Sequence, residues 1–393
     1  MKVALVHDYI KEYGGAERVL EALHEIWSDA PVFTTVYLPD FLGPHKERFQ
    51  NWNIRTSWLQ KIPYIQKLLS PARMLTPWIF ENWNFREFDV IIVSATGAYF
   101  PNLFVRRPET LHICYCHTPP RYLYGYPTAR DWRKHFIGRV TGELMNHQLR
   151  LIDYLSAQRP DYFIANSQEV RRRIEKFYRR EATVIYPPVE TNSKFNPPAG
   201  GQISNKSQNP KSKIKKEYYL AGGRLARPKH IDLAIKACNK LKLPLKVFGR
   251  TFAGCGEELR QLARLAEAKA KRAGPTVEFV DEITDQELAN LYRGAKALIY
   301  PSEREDFGIM PVEAQAYGVP VIAFRSGGVK ETVIDGKTGI FFDELNVESL
   351  TKAIKKLDRL EIKGKDCFEN AEKFSKERFK KEIQDFIKSK IRL

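Results

Sequence analysis

Short apolar runs alternate with amphipathic stretches along nearly the whole chain. In the first half the runs fall near 2–7, 32–37, 89–94, 111–116, 161–165 and 183–186, and in the second near 218–221, 245–248, 277–280, 297–300 and 320–324. Between several of them apolar positions recur at helical spacing. Ser167 stands where an N-cap opens a helix over 168–178, and Thr284 with Glu287 forms a capping box for the helix after Ile283. Strands and helices alternating in this order predict an α/β fold with doubly wound parallel sheets.

The alternation is interrupted once. Tyr186-Pro187-Pro188-Val189 is the expected hinge, followed by 192–216, a run rich in Pro, Gly, Ser, Asn and Lys that reads as a solvated loop. The pattern divides the chain into a domain over 1–187, a domain over 188–370 and a terminal helix over 371–393. That helix carries an apolar stripe of Phe374, Phe379, Ile383 and Phe386. At 393 residues and 43% hydrophobic content the chain is long enough and apolar enough for two cores.

Two of the strand ends carry chemistry. After the run at 297–300 comes a polar loop with Glu305 and Gly308, then a helix begun by Pro311 and carrying Glu313. A helix start there faces an anion with its N–H groups, and a carboxylate just inside it can accept from ribose hydroxyls. After the run at 218–221 come Gly222, Gly223, Arg224 and Lys229, a spacing suited to clamping a diphosphate whose charge grows as it leaves. The competing readings are solvated loop carboxylates for the first and surface cations beside a tight turn for the second.

Taken together and in this order, G-R-L with a following Lys and then E-x7-E resemble the retaining glycosyltransferases of family GT4. The glycine loop Tyr13-Gly14-Gly15-Ala16-Glu17 after the first strand is also similar to that family, and the run Cys114 to Gly125, CYCHTPPRYLYG, looks like its O-antigen mannosyltransferase branch. The resemblance implies the GT-B fold, two Rossmann-like doubly wound domains facing a central cleft, with the terminal helix crossing back to the first domain. It also implies roles. Arg224 and Lys229 hold the donor diphosphate and stabilise its departure. Glu313 binds ribose, and Glu305 faces the donor sugar or its developing positive charge. The backbone N–H groups of Asp306, Phe307 and Gly308 contact sugar hydroxyls, although the family usually has Gly where this chain has Asp306. His117 hydrogen-bonds the sugar, the competing reading being a histidine satisfied by loop carbonyls. Gly14 and Gly15 let the first loop close over phosphate and acceptor, and Arg121 and Tyr122 contribute to the acceptor or sugar pocket. The implied reaction moves a hexose from a nucleotide sugar to a lipid-linked or oligosaccharide acceptor in cell-surface polysaccharide synthesis. GDP-mannose is the preferred donor and a UDP-sugar the alternative. A phosphorylase or an epimerase of the same fold is a further alternative.

Neither a metal nor another cofactor is expected. The chain has no Asp-x-Asp pair to bridge a cation to diphosphate, and its His and Cys residues lack zinc spacing. Five cysteines, an odd number without Cys-x-x-Cys, fit a reduced compartment, and Cys114 and Cys116 read as packing residues.

Charge adds a partner. The net charge is +17, with basic concentrations in 171–180 and 206–216. Anionic lipid headgroups, nucleic acid, or solubility together with attraction of the nucleotide each account for it. No nucleic-acid motif accompanies the charge. The stretch 51–85, with Trp52, Trp58, Trp78, Trp83 and Arg73 around an apolar segment, suits a bilayer interface, core packing being the other account of its tryptophans. No apolar run has the length of a membrane span, and Met1 to Val6 reads as a strand rather than a signal peptide. The expected location is the cytoplasm, peripheral on the inner face of the plasma membrane.

Overall fold

The computed structural model of the protein describes residues 1–128, 136–191, 216–252, 254–270, 277–281 and 283–391. The expected loop 192–216, apart from Lys216, and most of the basic run 206–216 lie outside the described residues. Contacts divide the chain into two units. The first takes in Met1–Pro188, Arg304–Phe307 and Lys376–Leu393, and the second Val189–Glu303 and Gly308–Ser375.

In the first unit seven parallel strands form one sheet: β1 (Val3–His7), β2 (Val32–Thr34), β3 (Ile54–Thr56), β4 (Val90–Ala95), β5 (Leu111–Cys116), β6 (Tyr162–Ala165) and β7 (Ala182–Val184), in the order β3-β2-β1-β4-β5-β6-β7. Every residue of β1 and β4 is buried, as a parallel strand covered on both faces requires. The second unit has six parallel strands, β8 (Tyr218–Gly222), β9 (Leu245–Phe248), β10 (Val277–Val280), β11 (Ala295–Tyr300), β12 (Val321–Phe324) and β13 (Gly339–Phe342), in the order β10-β9-β8-β11-β12-β13. Both orders reverse direction once, between β1 and β4 and between β8 and β11. In an open α/β sheet a ligand lies at the carboxyl ends of the strands flanking such a reversal.

The pattern of apolar runs located the other strands and left out β3 and β13. β3 is an edge strand with Arg55 and Thr56 exposed, so it offers no apolar run, and β13 is four residues opened by a glycine. The caps at Ser167 and Thr284 form as expected, each accepting from the backbone N–H three residues on. The stretch over 371–393 is not one helix. Ala371 lies in the last turn of the helix Gly364–Glu372, Phe374 is buried in the break, and a second helix runs over Lys376–Ile391. Phe379, Ile383 and Ile387 of that helix enter the core formed by Leu5, Val19 and Leu23, and Lys376 pairs with Glu25 at 2.8 Å. All five cysteines are buried and unpaired, and burial pushes the Cys114 thiol up to about 12, which leaves it a packing group.

Candidate functional site

In the second unit the two chemistry-bearing loops leave the two strands that flank the reversal. β8 ends at Gly222, and Gly223 follows with φ +96°, a conformation that disfavours a side chain; a Cβ there would also lie 2.6 Å from Met310 Sδ. This close approach brings the backbone before Arg224 against the start of the helix Ile309–Ala316. Arg224 is exposed, its guanidinium 5.5 Å from the Phe252 ring centre, and Lys229 Nζ lies 5.6 Å from the ring centre of Tyr300, the last residue of β11. A hydrogen bond from Glu303 N to the Pro228 carbonyl at 3.0 Å and the approach of His230 Nε2 to Glu303 Oε2 at 3.5 Å tie the loops together.

The helix bearing Glu313 begins two residues earlier than expected, at Ile309, with Gly308 as its left-handed N-cap and no side-chain cap on its first N–H groups. Those groups and two cations are the elements of an anion site. Glu313 is buried, and the Tyr292 hydroxyl donates to its Oε2 at 3.2 Å, which fixes one carboxylate oxygen.

In the first unit His117 directly follows β5. Its Nε2 lies 2.9 Å from Ser94 Oγ, and Ser94 Oγ lies 3.1 Å from His7 Nδ1. Burial, with His7 adding a smaller effect, lowers the His117 pKa to about 3, so the ring is neutral and serves as a hydrogen-bonding group rather than an acid. The partner of its Nε2 is a side-chain hydroxyl and not a loop carbonyl as in the competing reading. Beside it, Asp8 Oδ2 accepts from the N–H groups of Thr96 at 3.1 Å, Ala98 at 3.2 Å and Tyr99 at 3.4 Å and from the Thr96 hydroxyl, while burial raises its pKa. Gly14 caps the helix Gly15–Ile26 in an extended conformation, φ −132°, that any residue adopts. Its glycine therefore serves no special backbone angle, and its N–H donates to Glu17 Oε2 at 2.9 Å.

The Arg304–Phe307 loop belongs to this unit, so Glu305, Asp306 and Phe307 are grouped with His117 rather than with Gly308 and Glu313. Glu305 is half-buried, and Phe307 is buried with its ring centre 5.6 Å from that of Tyr186. The expectation for Asp306 concerned only its backbone N–H; the structure gives its side chain and carbonyl work of their own. Its Oδ1 accepts from Arg121 at 2.8 Å and from Arg173, and its carbonyl accepts from Ser167 Oγ at 2.6 Å. Arg173, 3% exposed, also donates to Thr118 Oγ1 at 3.0 Å and Glu169 Oε1 at 3.2 Å.

The basic run 171–180 is therefore not a uniform surface patch. Arg173 faces the interior, and Arg172 pairs with Glu169 at 2.8 Å. Arg121 is committed to Asp306 and to the Arg304 carbonyl, and Tyr122 is covered by Arg73, whose guanidinium lies 4.0 Å from its ring centre.

Sequence reasoning missed His7, Ser94, Asp8 and Arg173. His7 and Ser94 were visible as polar residues ending apolar strands, VALVH and VIIVSA, where a parallel sheet presents side chains to a ligand. Among the described residues no cluster of His, Cys, Asp and Glu has the makings of a metal centre, and no helix is long and apolar enough to cross a membrane.

The description "Glycosyltransferase Family 4" matches residues 13–193, and "Glycosyl transferases group 1" matches residues 202–374. Alpha-1,3/1,6-mannosyltransferase ALG2 of Dictyostelium discoideum is 27% identical over 77% of this chain and 76% of its own length. The mouse enzyme of the same name is 24% identical over 95% of this chain and 93% of its own length. Among solved structures, Anabaena HepE in complex with UDP-glucose superposes with a TM-score of 0.67 at 18% identity, covering 99% of this chain and 100% of its own. Two Rossmann-like units superposing on such a structure define the GT-B fold, and the two family matches define a glycosyltransferase. The chain belongs to family GT4.

Proposed function

We propose that the protein transfers mannose from GDP-mannose to a lipid-linked glycan, with retention of anomeric configuration and without a metal ion, in cell-surface polysaccharide synthesis. The observation that carries the reading is the pairing of Gly223-Arg224 and Lys229 with the uncapped start of the helix Ile309–Ala316 at the ends of β8 and β11. As the bond from sugar to diphosphate breaks, negative charge builds on the leaving oxygen, and two cations held beside backbone N–H groups stabilise it without reorganising. Glu313, steadied by Tyr292, takes the ribose hydroxyls. Glu305, the N–H groups of Asp306, Phe307 and Gly308, and the neutral ring of His117 serve the sugar. Mannose is favoured because the ALG2 relatives are mannosyltransferases by name.

An anionic membrane surface on the cytoplasmic side is the proposed working place. Trp58, Tyr64 and Trp78 are 55%, 71% and 64% exposed, Leu68 is exposed beside them, and Lys61 and Lys67 are exposed on the same short segment. Aromatics and lysines so arranged suit the headgroup region. Trp52 and Trp83 do not belong to that surface. Trp52 stacks on His24 at 3.9 Å, and Trp83 packs on Phe33, Phe80 and Phe85.

The test supplies GDP-mannose and UDP-glucose separately and follows nucleotide release and, by NMR, the anomeric configuration of the product. GDP release at least about tenfold above UDP release, a gap of about 1.4 kcal/mol, with a retained anomer is expected. Dominant UDP release favours the UDP-sugar alternative. An inverted product overturns the retaining assignment.

A further inference from the structure

Four polar side chains stand in file at the carboxyl edge of the first unit's sheet. Glu17 Oε1 lies 3.6 Å from His7 Nε2, His7 Nδ1 lies 3.1 Å from Ser94 Oγ, and Ser94 Oγ lies 2.9 Å from His117 Nε2. His7 ends β1, Ser94 pairs with it in register on β4, and His117 follows β5, so three adjacent strands deliver the file. His7 and Ser94 are fully buried, and Glu17 is 6% exposed.

A hydroxyl has one hydrogen to give, so with both rings neutral the file has two consistent directions. In one, Ser94 donates to His7 Nδ1 and accepts from the Nε2–H of His117, and His7 keeps its own proton on Nε2, toward Glu17. In the other, Ser94 donates to His117 and accepts from His7, which turns the bare lone pair of His7 Nε2 toward the Glu17 carboxylate. A separation of 3.6 Å is too long for a hydrogen bond, so Glu17 acts through its charge, which attracts an N–H and repels a lone pair. The Gly14 N–H holds the other oxygen of Glu17, at 2.9 Å, and keeps the carboxylate in place.

We infer that Glu17, His7 and Ser94 are positioning residues that fix His117 as its Nε2–H tautomer, leaving Nδ1 as a hydrogen-bond acceptor for a hydroxyl of the donor sugar. The inference rests on the reading of His117 as a sugar-contacting residue. It deepens that reading by giving the contact a direction: the sugar donates and the protein accepts. The tautomer of a buried histidine is set by whatever its other nitrogen bonds, and here that choice passes through a serine to a second histidine and a carboxylate.

The test is a long-range ¹H–¹⁵N correlation spectrum of the full chain with labelled histidine, recorded near pH 8, where an ordinary histidine with a pKa of about 6.5 is neutral. The His117 signals are assigned by their loss in His117→Ala. The expected spectrum has His117 protonated at Nε2 and bare at Nδ1, and His7 likewise. An imidazolium at His7 would impose the opposite direction, so a doubly protonated His7 overturns the inference, as does a His117 protonated at Nδ1. Both tautomers are read in the unaltered protein, and a variant enters only to assign the signals. Ser94→Ala and Glu17→Gln are each expected to introduce a second His117 population protonated at Nδ1, and an unchanged tautomer in both also overturns it. In turnover, Ser94→Ala is expected to lower kcat roughly tenfold while the donor KM stays within about twofold. The underlying reading has its own signature. Full activity in His117→Ala removes the sugar contact even where the wild-type spectrum shows the Nε2–H tautomer.

Discussion

Asp153 gives the sharpest pH prediction. It lies on the helix Phe136–Ala157 in the first unit, 5% exposed, with Tyr124 donating to Oδ2 at 2.7 Å and Tyr178 donating to Oδ1 at 3.1 Å. Burial raises its pKa from 3.8 to about 7, against the smaller opposing effect of the two hydroxyls. Below the unfolded-state value both states hold the proton. Between 3.8 and about 7 only the folded state does, so stability falls as pH rises, and above 7 the full penalty remains.

At 1.36 kcal/mol per pKa unit the shift corresponds to about 4 kcal/mol in all, of which about 2.5 kcal/mol develops between about pH 5 and about pH 8. Asp153→Asn keeps the shape and one acceptor but carries no charge. Its advantage over the wild type is therefore expected to grow by about 2 to 3 kcal/mol across that interval. All six tryptophans precede Pro188, so denaturant titration followed by tryptophan fluorescence reports the first unit alone. An advantage that is equal at both pH values refutes the reasoning.

The remaining predictions concern the site and its supports. Arg224→Ala or Lys229→Ala should lower turnover by on the order of 10² to 10³, the scale of one lost contact to developing charge, measured as nucleotide release from the donor. Near-normal rates in both remove the clamp. Asp306→Ala strips the nearly buried Arg173 of one carboxylate while leaving it Glu169, and should cost the first unit about 2 to 3 kcal/mol in the same fluorescence titration. An unchanged midpoint would show that the pair contributes nothing. Replacing the exposed Trp58 and Trp78 together by Ser should abolish salt-sensitive binding to vesicles containing anionic lipid, with the fluorescence midpoint changed by less than about 1 kcal/mol. Retained binding moves the membrane surface elsewhere.

The second unit's site was legible because its chemistry is local. Gly222-Gly223-Arg224 and Gly308 to Glu313 each follow an apolar run, so a strand end, a glycine and a charge appear together within a few residues. The first unit's site is assembled from His7, Ser94 and His117, separated by 87 and 23 positions, and only the register of β1, β4 and β5 unites them. Arg173 is an intermediate case. It shares a helical face with the buried Val170, Ile174 and Tyr178, which the 3.6-residue period reveals, but of the two acids that make its burial tolerable only Glu169 is on the same helix, and Asp306 is 133 positions away. Composition pointed the run 171–180 toward solvent, and periodicity would have turned one of its arginines inward. The glycines show the same limit. Gly223 needs its positive φ, whereas Gly14, equally conspicuous in the sequence, is extended and matters through its N–H.

The central claim is that a nucleoside diphosphate is held by its phosphates at Arg224 and Lys229. Calorimetric titration of GDP and of guanosine into the wild type and into the Arg224→Ala/Lys229→Ala double variant tests it directly. GDP should bind the wild type at least about 100-fold more tightly than guanosine, a difference of about 2.7 kcal/mol, and that gap should collapse to within about tenfold in the variant. Equal affinity of the wild type for GDP and guanosine, or an undiminished gap in the variant, would contradict the account.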